Sequence, residues 1–202
     1  MSAATIPREL QTPRLALRSW QPDDAEELLP ILQANWEHLS PWIPARVASP
    51  SPVPELRERL RGNAEAFAED REWRFAMLAR VDGRGGRILG ELSLFPRNAG
   101  GRVALGESDR AEIGYWMRDD ETGRGLVTEG VEALIEAASA IERWQHLEIR
   151  CDARNAPSAA IPRRLGFTLA ETIDTSGVLA HERSVALQVW TLARRGQSSS
   201  GR

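Results

Sequence analysis

The feature that most constrains this chain is an apolar strand pattern that runs into a short glycine loop and then into a helix pattern. The strand pattern covers Glu112–Met117, and the residues from Thr122 to Glu129 read Thr-Gly-Arg-Gly-Leu-Val-Thr-Glu. Glycine lets a backbone approach a ligand closely, and the first N–H groups of a helix have no partner within the helix. Because Arg124 adds a charge to the positive end of the helix dipole, this segment predicts a site for a phosphate-bearing ligand.

The remaining patterns predict a mixed α/β fold. The helix after the loop has apolar residues at a 3.6-residue period from Val127 to Ile141, and short strand patterns lie on both sides of it. A glycine-rich stretch over 96–108 is expected to be mobile. Residues 167–171 and 184–192 are expected to close the sheet as an antiparallel pair.

The composition is typical of a cytoplasmic protein that binds neither nucleic acid nor a membrane. The formal net charge is −3, whereas nucleic-acid binding would require a basic surface. No apolar run reaches the ~18 residues of a membrane span, and the N-terminus lacks a signal-peptide pattern. The lone cysteine excludes a disulfide within the chain. We expect one domain over 12–193, an N-terminal extension over 1–11 and a disordered tail over 194–202.

Five segments occur in one order along the chain: Arg14–Arg18, Asn35–Trp42, Glu112–Tyr115, Gly123–Leu126 and Asn155–Phe167. Together they resemble the GNAT superfamily of acetyl-CoA-dependent N-acetyltransferases. The resemblance is closest to the RimJ/RimL-type branch, whose founding members acetylate N-terminal amines of ribosomal proteins. It implies an α/β (α+β) GNAT-like acyl-CoA N-acyltransferase fold. In that fold a central mixed, mostly antiparallel sheet has splayed middle strands and carries helices on both faces.

The resemblance implies a site for acetyl-CoA, which acts as a co-substrate without a metal. The pantetheine arm would lie along Met117 and Arg118 as an added strand. Asn155 would contact coenzyme A and Ser158 would lie near its sulfur, with helix capping as the alternative for both residues. Thr122 and Val127 depart from the family pattern, and Val127 is expected to crowd the cofactor. The residues that would bind the pyrophosphate are Gly123, Arg124, Gly125, Leu126, Val127 and Thr128.

Glu112 and Ser158 are the catalytic candidates. An amine that is protonated near neutrality must lose a proton before it attacks a thioester, and a carboxylate is the usual proton acceptor. Glu112 matches the family position of such a base, with an ion pair to arginine as the alternative. Glu91, on the preceding strand pattern, is the second candidate. The hydroxyl of Ser158 is expected to protonate the departing thiolate.

The acceptor side is assigned through a loop that carries Trp36, His38 and Trp42. The resemblance places these residues, with Glu91, beside the acceptor amine. Core packing is the alternative for the two tryptophans, and a structural polar role is the alternative for His38. Cys151 is predicted to be a small buried residue, and the histidines lack the spacing of a zinc site.

These observations predict an enzyme that transfers an acetyl group from acetyl-CoA to an amine by direct attack in a ternary complex. The amine belongs to a peptide or protein N-terminus or to a small molecule, and the sequence leaves its identity open. The alternative is a non-catalytic acyl-CoA-binding module that acts as a sensor or interaction domain. Because dimers are common in the resembling family, a homodimer is a further possibility.

Overall fold

One mixed β-sheet carries the fold in this computed structural model, which describes residues 5–81, 83–174 and 186–194. Alternation of buried and less buried side chains, as at Leu15 and Leu17, marks the strands that have helices on one or both sides. The strands are β1 (Glu9–Gln11), β2 (Leu15–Ser19), β3 (Trp73–Val81), β4 (Arg84–Asn98), β5 (Gly101–Arg102), β6 (Arg110–Met117), β7 (His146–Asp152), β8 (Thr168–Asp174) and β9 (Ala186–Ala193).

The sheet is mostly antiparallel, as the resemblance implies. Its strand order is β1-β2-β3-β4-β6-β7-β9-β8, with β5 paired to β4. Among the described strands, β6 and β7 form the parallel pair and the other neighbours run antiparallel. A parallel pair needs a crossover connection, and the helix that follows the glycine loop supplies it.

Helices cover both faces of the sheet, which confirms the implied architecture. On one face, Leu56 and Leu60 pack with Ala76 and Leu78 of β3. On the other face, Val131 and its neighbours pack against apolar side chains of β2, β4 and β6. None of the described helices is long and apolar enough to cross a membrane. The helices are α1 (Ala25–Ala34), α2 (Trp36–Leu39), α3 (Ala45–Ala48), α4 (Val53–Ala68), α5 (Leu126–Ala138) and α6 (Ala156–Arg164).

Gly90 of β4 pairs with Met117 of β6. A Cβ atom placed on Gly90 would lie 2.2 Å from the carbonyl oxygen of Trp116 and 2.9 Å from the Cα of Met117. Only a residue without a side chain fits between these two backbones. The glycine therefore allows β6 to run close to β4 as it approaches the glycine loop.

The glycine-rich stretch over 96–108, which was expected to be mobile, contains regular secondary structure. Strand β4 continues to Asn98 and turns back into β5, and a 3-10 turn follows at Leu105–Glu107. Ser108 is buried and accepts a hydrogen bond from the indole nitrogen of Trp144 at 2.8 Å. The glycines supply a tight hairpin, which strand alternation cannot reveal because glycine has no side chain to alternate.

Both expected terminal segments contact the domain. Within the predicted N-terminal extension, β1 pairs with β2 and Ile6 is buried in the core. At the predicted tail, Arg194 donates hydrogen bonds to the carbonyl oxygens of Ser139 and Ile141. The closing strands pair antiparallel as predicted, whereas residues 184–185 and 195–202 lie outside the described residues.

Candidate active site

Strands β6 and β7 separate halfway along their length. Their parallel pairing runs from Arg110 opposite His146 to Ile113 opposite Ile149, and it ends there. Beyond that point β6 continues to Met117 on its β4 side only, while β7 continues against β9. Gly114–Met117 thus has one strand edge without a ladder partner among the described residues. Such an edge can bind an extended chain through main-chain hydrogen bonds.

The glycine loop lies beyond the end of this open edge. Gly123 and Gly125 have φ angles of 73° and 75°, a conformation that favours glycine, and Gly125 begins α5 as its N-cap. The first hydrogen bond of the helix runs from the Glu129 amide to the Gly125 carbonyl at 3.1 Å. Within the described residues, the amides of 123–128 have no hydrogen-bond acceptor. These N–H groups are therefore free to donate to a ligand, and an anion such as a pyrophosphate fits their chemistry.

A salt bridge from the start of β2 holds the loop in place. Glu129 accepts hydrogen bonds from the Thr12 hydroxyl and from the amide and Nε of Arg14, the last at 2.6 Å. Arg14 in turn donates to the carbonyl oxygen of Arg124 at 2.9 Å. Burial raises the pKa of Glu129, but the hydrogen bonds from Thr12 and Arg14 lower it by more. The pKa is therefore below its usual value, and the carboxylate is ionised near neutrality. Arg124 itself pairs with Glu121.

Asn155 and Ser158 meet at the start of α6, on the β7 side of the opening. The side chain of Asn155 accepts a hydrogen bond from the Ser158 amide at 3.0 Å, which is the predicted helix cap. The Ser158 hydroxyl lies 3.1 Å from the Tyr115 hydroxyl, which also contacts the Ser158 carbonyl oxygen at 3.0 Å. Burial raises the pKa of Tyr115, so its phenol stays protonated at neutral pH.

The sequence interpretation missed Tyr115, because its contact with Ser158 joins residues 43 positions apart. A tyrosine on the open strand edge beside a predicted cap is the only signal that the sequence offers for this pair. Cys151 is buried as predicted, and burial raises the pKa of its thiol. Within the described residues, no cluster of His, Cys, Asp or Glu side chains is arranged to hold a metal ion.

Glu112 lies on the face of β6 opposite to that of Tyr115, and it takes part in a charged cluster. Its carboxylate pairs with Arg97 through one oxygen and with Arg102 through the other, the latter at 2.6 Å. Glu148, its register partner on β7, is buried and binds Arg110 at 3.0 Å. The ion-pair alternative raised for Glu112 therefore describes its contacts in this structure.

Glu91 lies at the bottom of a cavity of about 360 Å³ between α4 and the sheet, here named the α4 cavity. One oxygen of Glu91 accepts from Arg74 at 2.9 Å and the other from the Trp20 indole at 2.9 Å. Burial raises the pKa of Glu91, although Arg74 and Trp20 oppose this effect. Trp116 of β6 contributes to the same wall, so the cavity adjoins the open strand segment.

Trp36, His38 and Trp42 do not line the α4 cavity. Trp36 and Trp42 are 36% and 40% exposed, so the core-packing alternative for them is wrong. Nδ1 of His38 lies 3.5 Å from Asp119, just before the glycine loop. The neighbouring Asn35, which the sequence interpretation did not single out, is buried and accepts a hydrogen bond from the Asp119 amide at 2.8 Å.

Comparisons with known proteins agree with this geometry. The family described as "Acetyltransferase (GNAT) domain" matches residues 14–168. The chain is 27% identical over 157 residues to the putative ribosomal N-acetyltransferase YdaF of Bacillus subtilis (strain 168), which covers 76% of this chain and 77% of that protein. It is 32% identical over 59 residues to the ribosomal-protein-serine acetyltransferase of Escherichia coli (strain K12), covering 29% of this chain and 33% of that one.

Solved structures match the fold over nearly the whole chain. The microcin C7 self immunity acetyltransferase MccE, in complex with acetyl-CoA and AMP, gives a TM-score of 0.78 at 18% identity and covers 96% of this chain and 100% of its own. The RimL ribosomal L7/L12 alpha-N-protein acetyltransferase with coenzyme A gives 0.73 at 19% identity, covering 93% and 97%. At these identities the likeness shows the fold.

The splayed strands, the unpaired loop amides and the family match agree on one activity, and the non-catalytic module is not favoured. This chain belongs to the GNAT family of acetyltransferases, and it is an enzyme that transfers an acetyl group from acetyl-CoA to an amine.

Proposed function

We propose that the acceptor is the N-terminal amine of a peptide or protein, which enters through the α4 cavity. One observation carries this proposal. The open edge of β6 and the α4 cavity meet at Trp116, whose backbone belongs to the open strand segment and whose side chain lines the cavity. Two ligands that approach from opposite faces of the sheet would therefore meet there. The names of the relatives, which refer to ribosomal proteins, support a peptide acceptor.

On the cofactor side, the amides of residues 123–128 would hold the pyrophosphate, with α5 directing its positive end at the negative charge. Their backbone donors do not depend on side-chain identity, so Val127 in place of a smaller residue is compatible with binding. Met117 and Arg118 would offer main-chain groups to the pantetheine arm. Asn155, which holds the start of α6, would orient Ser158 toward the sulfur.

In the chemical step, the amine nitrogen bonds to the thioester carbon, the carbon–sulfur bond breaks, and the sulfur leaves as a thiolate. Glu112 would take the proton that the amine loses, through water, since each carboxylate oxygen keeps a lone pair beside its arginine contact. Ser158 would give its hydroxyl proton to the thiolate. Tyr115, protonated and 3.1 Å from that hydroxyl, would donate a hydrogen bond to the Ser158 oxygen, and water would return the proton that Ser158 gives up.

On the acceptor side, Glu91 would hold Arg74 in the cavity wall. The exposed side chains of Trp36 and Trp42 would cover the acceptor chain outside the cavity, and His38 would join this rim to the cofactor loop through Asp119. We place the enzyme in the cytoplasm, where ribosomal proteins are made. Light scattering of the purified protein decides whether it forms the homodimer.

The test is mass-spectrometric detection of acetylation in a panel of peptides, free amino acids and polyamines. A peptide should gain one acetyl group at its α-amine, and the same peptide with a blocked N-terminus should gain none. Glu112→Gln should lower kcat and remove the base-dependent limb of the pH profile, whereas Glu132→Gln on the exposed surface of α5 should not. Acetylation of polyamines alone, with all peptides inert, would refute the peptide assignment.

A further inference from the structure

The charges of the α4 cavity are not balanced within it. The charged side chains that line it are Arg46, Arg59, Glu72, Arg74, Glu91 and Arg102. Arg74 occupies both carboxylates, since it binds Glu72 at 2.7 Å and Glu91 at 2.9 Å. Arg102 is held from outside the cavity by Glu112 at 2.6 Å. The carboxylates available to the cavity are thus already paired.

Arg59 is the half-buried cation that remains. Its guanidinium donates to the carbonyl oxygen of Arg46 at 3.2 Å, which ties α4 to α3 and aims the side chain. Within the described residues, no carboxylate lies within ion-pair distance of it. Burial lowers the pKa of Arg59, and the neighbouring Glu91 opposes this effect while Arg74 adds to it. An arginine in such a place usually binds a carboxylate or a phosphate.

A buried donor in the same wall has no acceptor. Trp116 is 5% exposed, and its indole N–H has no hydrogen-bond partner among the described residues. Buried polar groups in folded proteins are almost always paired, so an orphan donor beside a cavity indicates a group that arrives with a ligand. The cavity therefore contains a positioned cation, Arg59, and an unpaired donor, the Trp116 indole N–H. Both of its carboxylates are already paired with Arg74.

We infer that the α4 cavity selects acceptors that carry a carboxylate close to the reacting amine, with Arg59 as the residue that binds it. For a peptide this means an acidic side chain at or next to the N-terminus. The peptide setting rests on the proposed function, whereas the carboxylate requirement rests on the cavity. Because Trp116 joins the cavity to the open edge of β6, a carboxylate at Arg59 positions the attached amine toward the thioester.

The test compares pairs of short peptides that differ only by Asp against Asn, or Glu against Gln, near a free N-terminus. The wild-type enzyme should prefer the acidic member by about 10-fold or more in kcat/KM, as expected for a charge-assisted hydrogen bond. Arg59→Gln should abolish this preference, and Arg59→Lys should restore part of it because it keeps the charge without the bidentate geometry. Arg61→Gln, an exposed position two residues along the same helix, should keep the wild-type ratio.

Aspartic acid 1-amide and asparagine 1-amide, which lack the α-carboxylate that the free amino acids share, serve as a second acceptor pair. Calorimetric titration with their N-acetyl derivatives measures recognition without turnover. If peptides are inert but the aspartic acid 1-amide is preferred over the asparagine 1-amide, the peptide assignment fails and the carboxylate site stands. Equal use of acidic and amide acceptors, with equal binding of the two N-acetyl compounds, overturns the inference and leaves peptide acetylation intact. A preference that survives Arg59→Gln in a folded protein also overturns it.

Discussion

Replacing Gly90 by alanine tests how the approach of β4 to β6 shapes the site. The new Cβ would lie 2.2 Å from the Trp116 carbonyl oxygen, and ordinary carbon–oxygen contacts begin at about 3.3 Å. The strands must therefore separate by about 1 Å. Neither neighbouring atom belongs to a flexible side chain that moves aside at low cost. The amide of Arg118, which donates to the Leu89 carbonyl at 3.0 Å, lies at the same point.

The cost follows from these contacts. Weakening two ladder hydrogen bonds costs about 2 kcal/mol, and overpacking adds about 1–3 kcal/mol. The loss of chain entropy in the unfolded state returns about 0.4–1 kcal/mol. Gly90→Ala should therefore lower the free energy of unfolding by about 3 kcal/mol, which corresponds to a fall in Tm of about 6–12 °C for a domain of this size.

Urea unfolding of the two proteins measures this difference, and Gly62→Ala is the matched control. Gly62 lies within α4, and apart from its own turn of helix no atom lies within 4 Å of an added Cβ. There the same substitution should stabilise the protein by up to about 1 kcal/mol, because alanine favours a helix. The two variants should thus move in opposite directions. If Gly90→Ala unfolds within 0.5 kcal/mol of the wild type, the close approach does not constrain the strands.

Three further predictions concern the cofactor loop, the proton donor and the charged cluster. Glu129→Gln should raise KM for acetyl-CoA several-fold with little change in kcat, since it releases the Arg14 contact with the loop; steady-state kinetics at saturating acceptor checks this. Ser158→Ala should lower kcat about 100-fold, whereas Tyr115→Phe should lower kcat by a smaller factor. An unchanged kcat in Ser158→Ala would exclude Ser158 as the group that protonates the thiolate. Burial raises the pKa of Glu148, but hydrogen bonds from arginines lower it below the unfolded value, so it stabilises the fold above about pH 4.3. That contribution should vanish as pH falls through the folded pKa, and Glu148→Gln should flatten the slope of unfolding free energy against pH below 5.

The sequence predicts those elements whose side chains repeat with a clear period or whose backbone needs glycine. Helix α5 and the left-handed positions Gly123 and Gly125 fall in this class, because one face of the helix and two φ angles determine the residue types. The separation of β6 from β7 followed only from the family resemblance. Pairing between distant strands depends on how far each register extends, and no local pattern records that.

The candidate site was harder to predict where contacts join distant parts of the chain. Tyr115 meets Ser158 across the β6–β7 opening, and Arg59 looks like one more solvent-exposed charge of a polar helix. In the folded protein Arg59 lines a cavity together with Arg46 of α3 and Glu91 of β4, and these three residues are distant in sequence. Trp36 and Trp42 show the reverse case, since large aromatic residues that usually pack inside are exposed here.

The short parallel pairing of β6 with β7 has a consequence for how the protein responds to its co-substrate. The strands from β1 to β6 form one half of the sheet, and β7, β8 and β9 form the other half. Four residue pairs between β6 and β7 join the two halves. A molecule bound in the opening contacts both halves and acts as a cross-link between them. At a concentration 100 times its Kd, such a ligand adds about 2.7 kcal/mol to the unfolding free energy. The pool of acetyl-CoA in the cell would then set the lifetime of this protein as well as its rate of turnover.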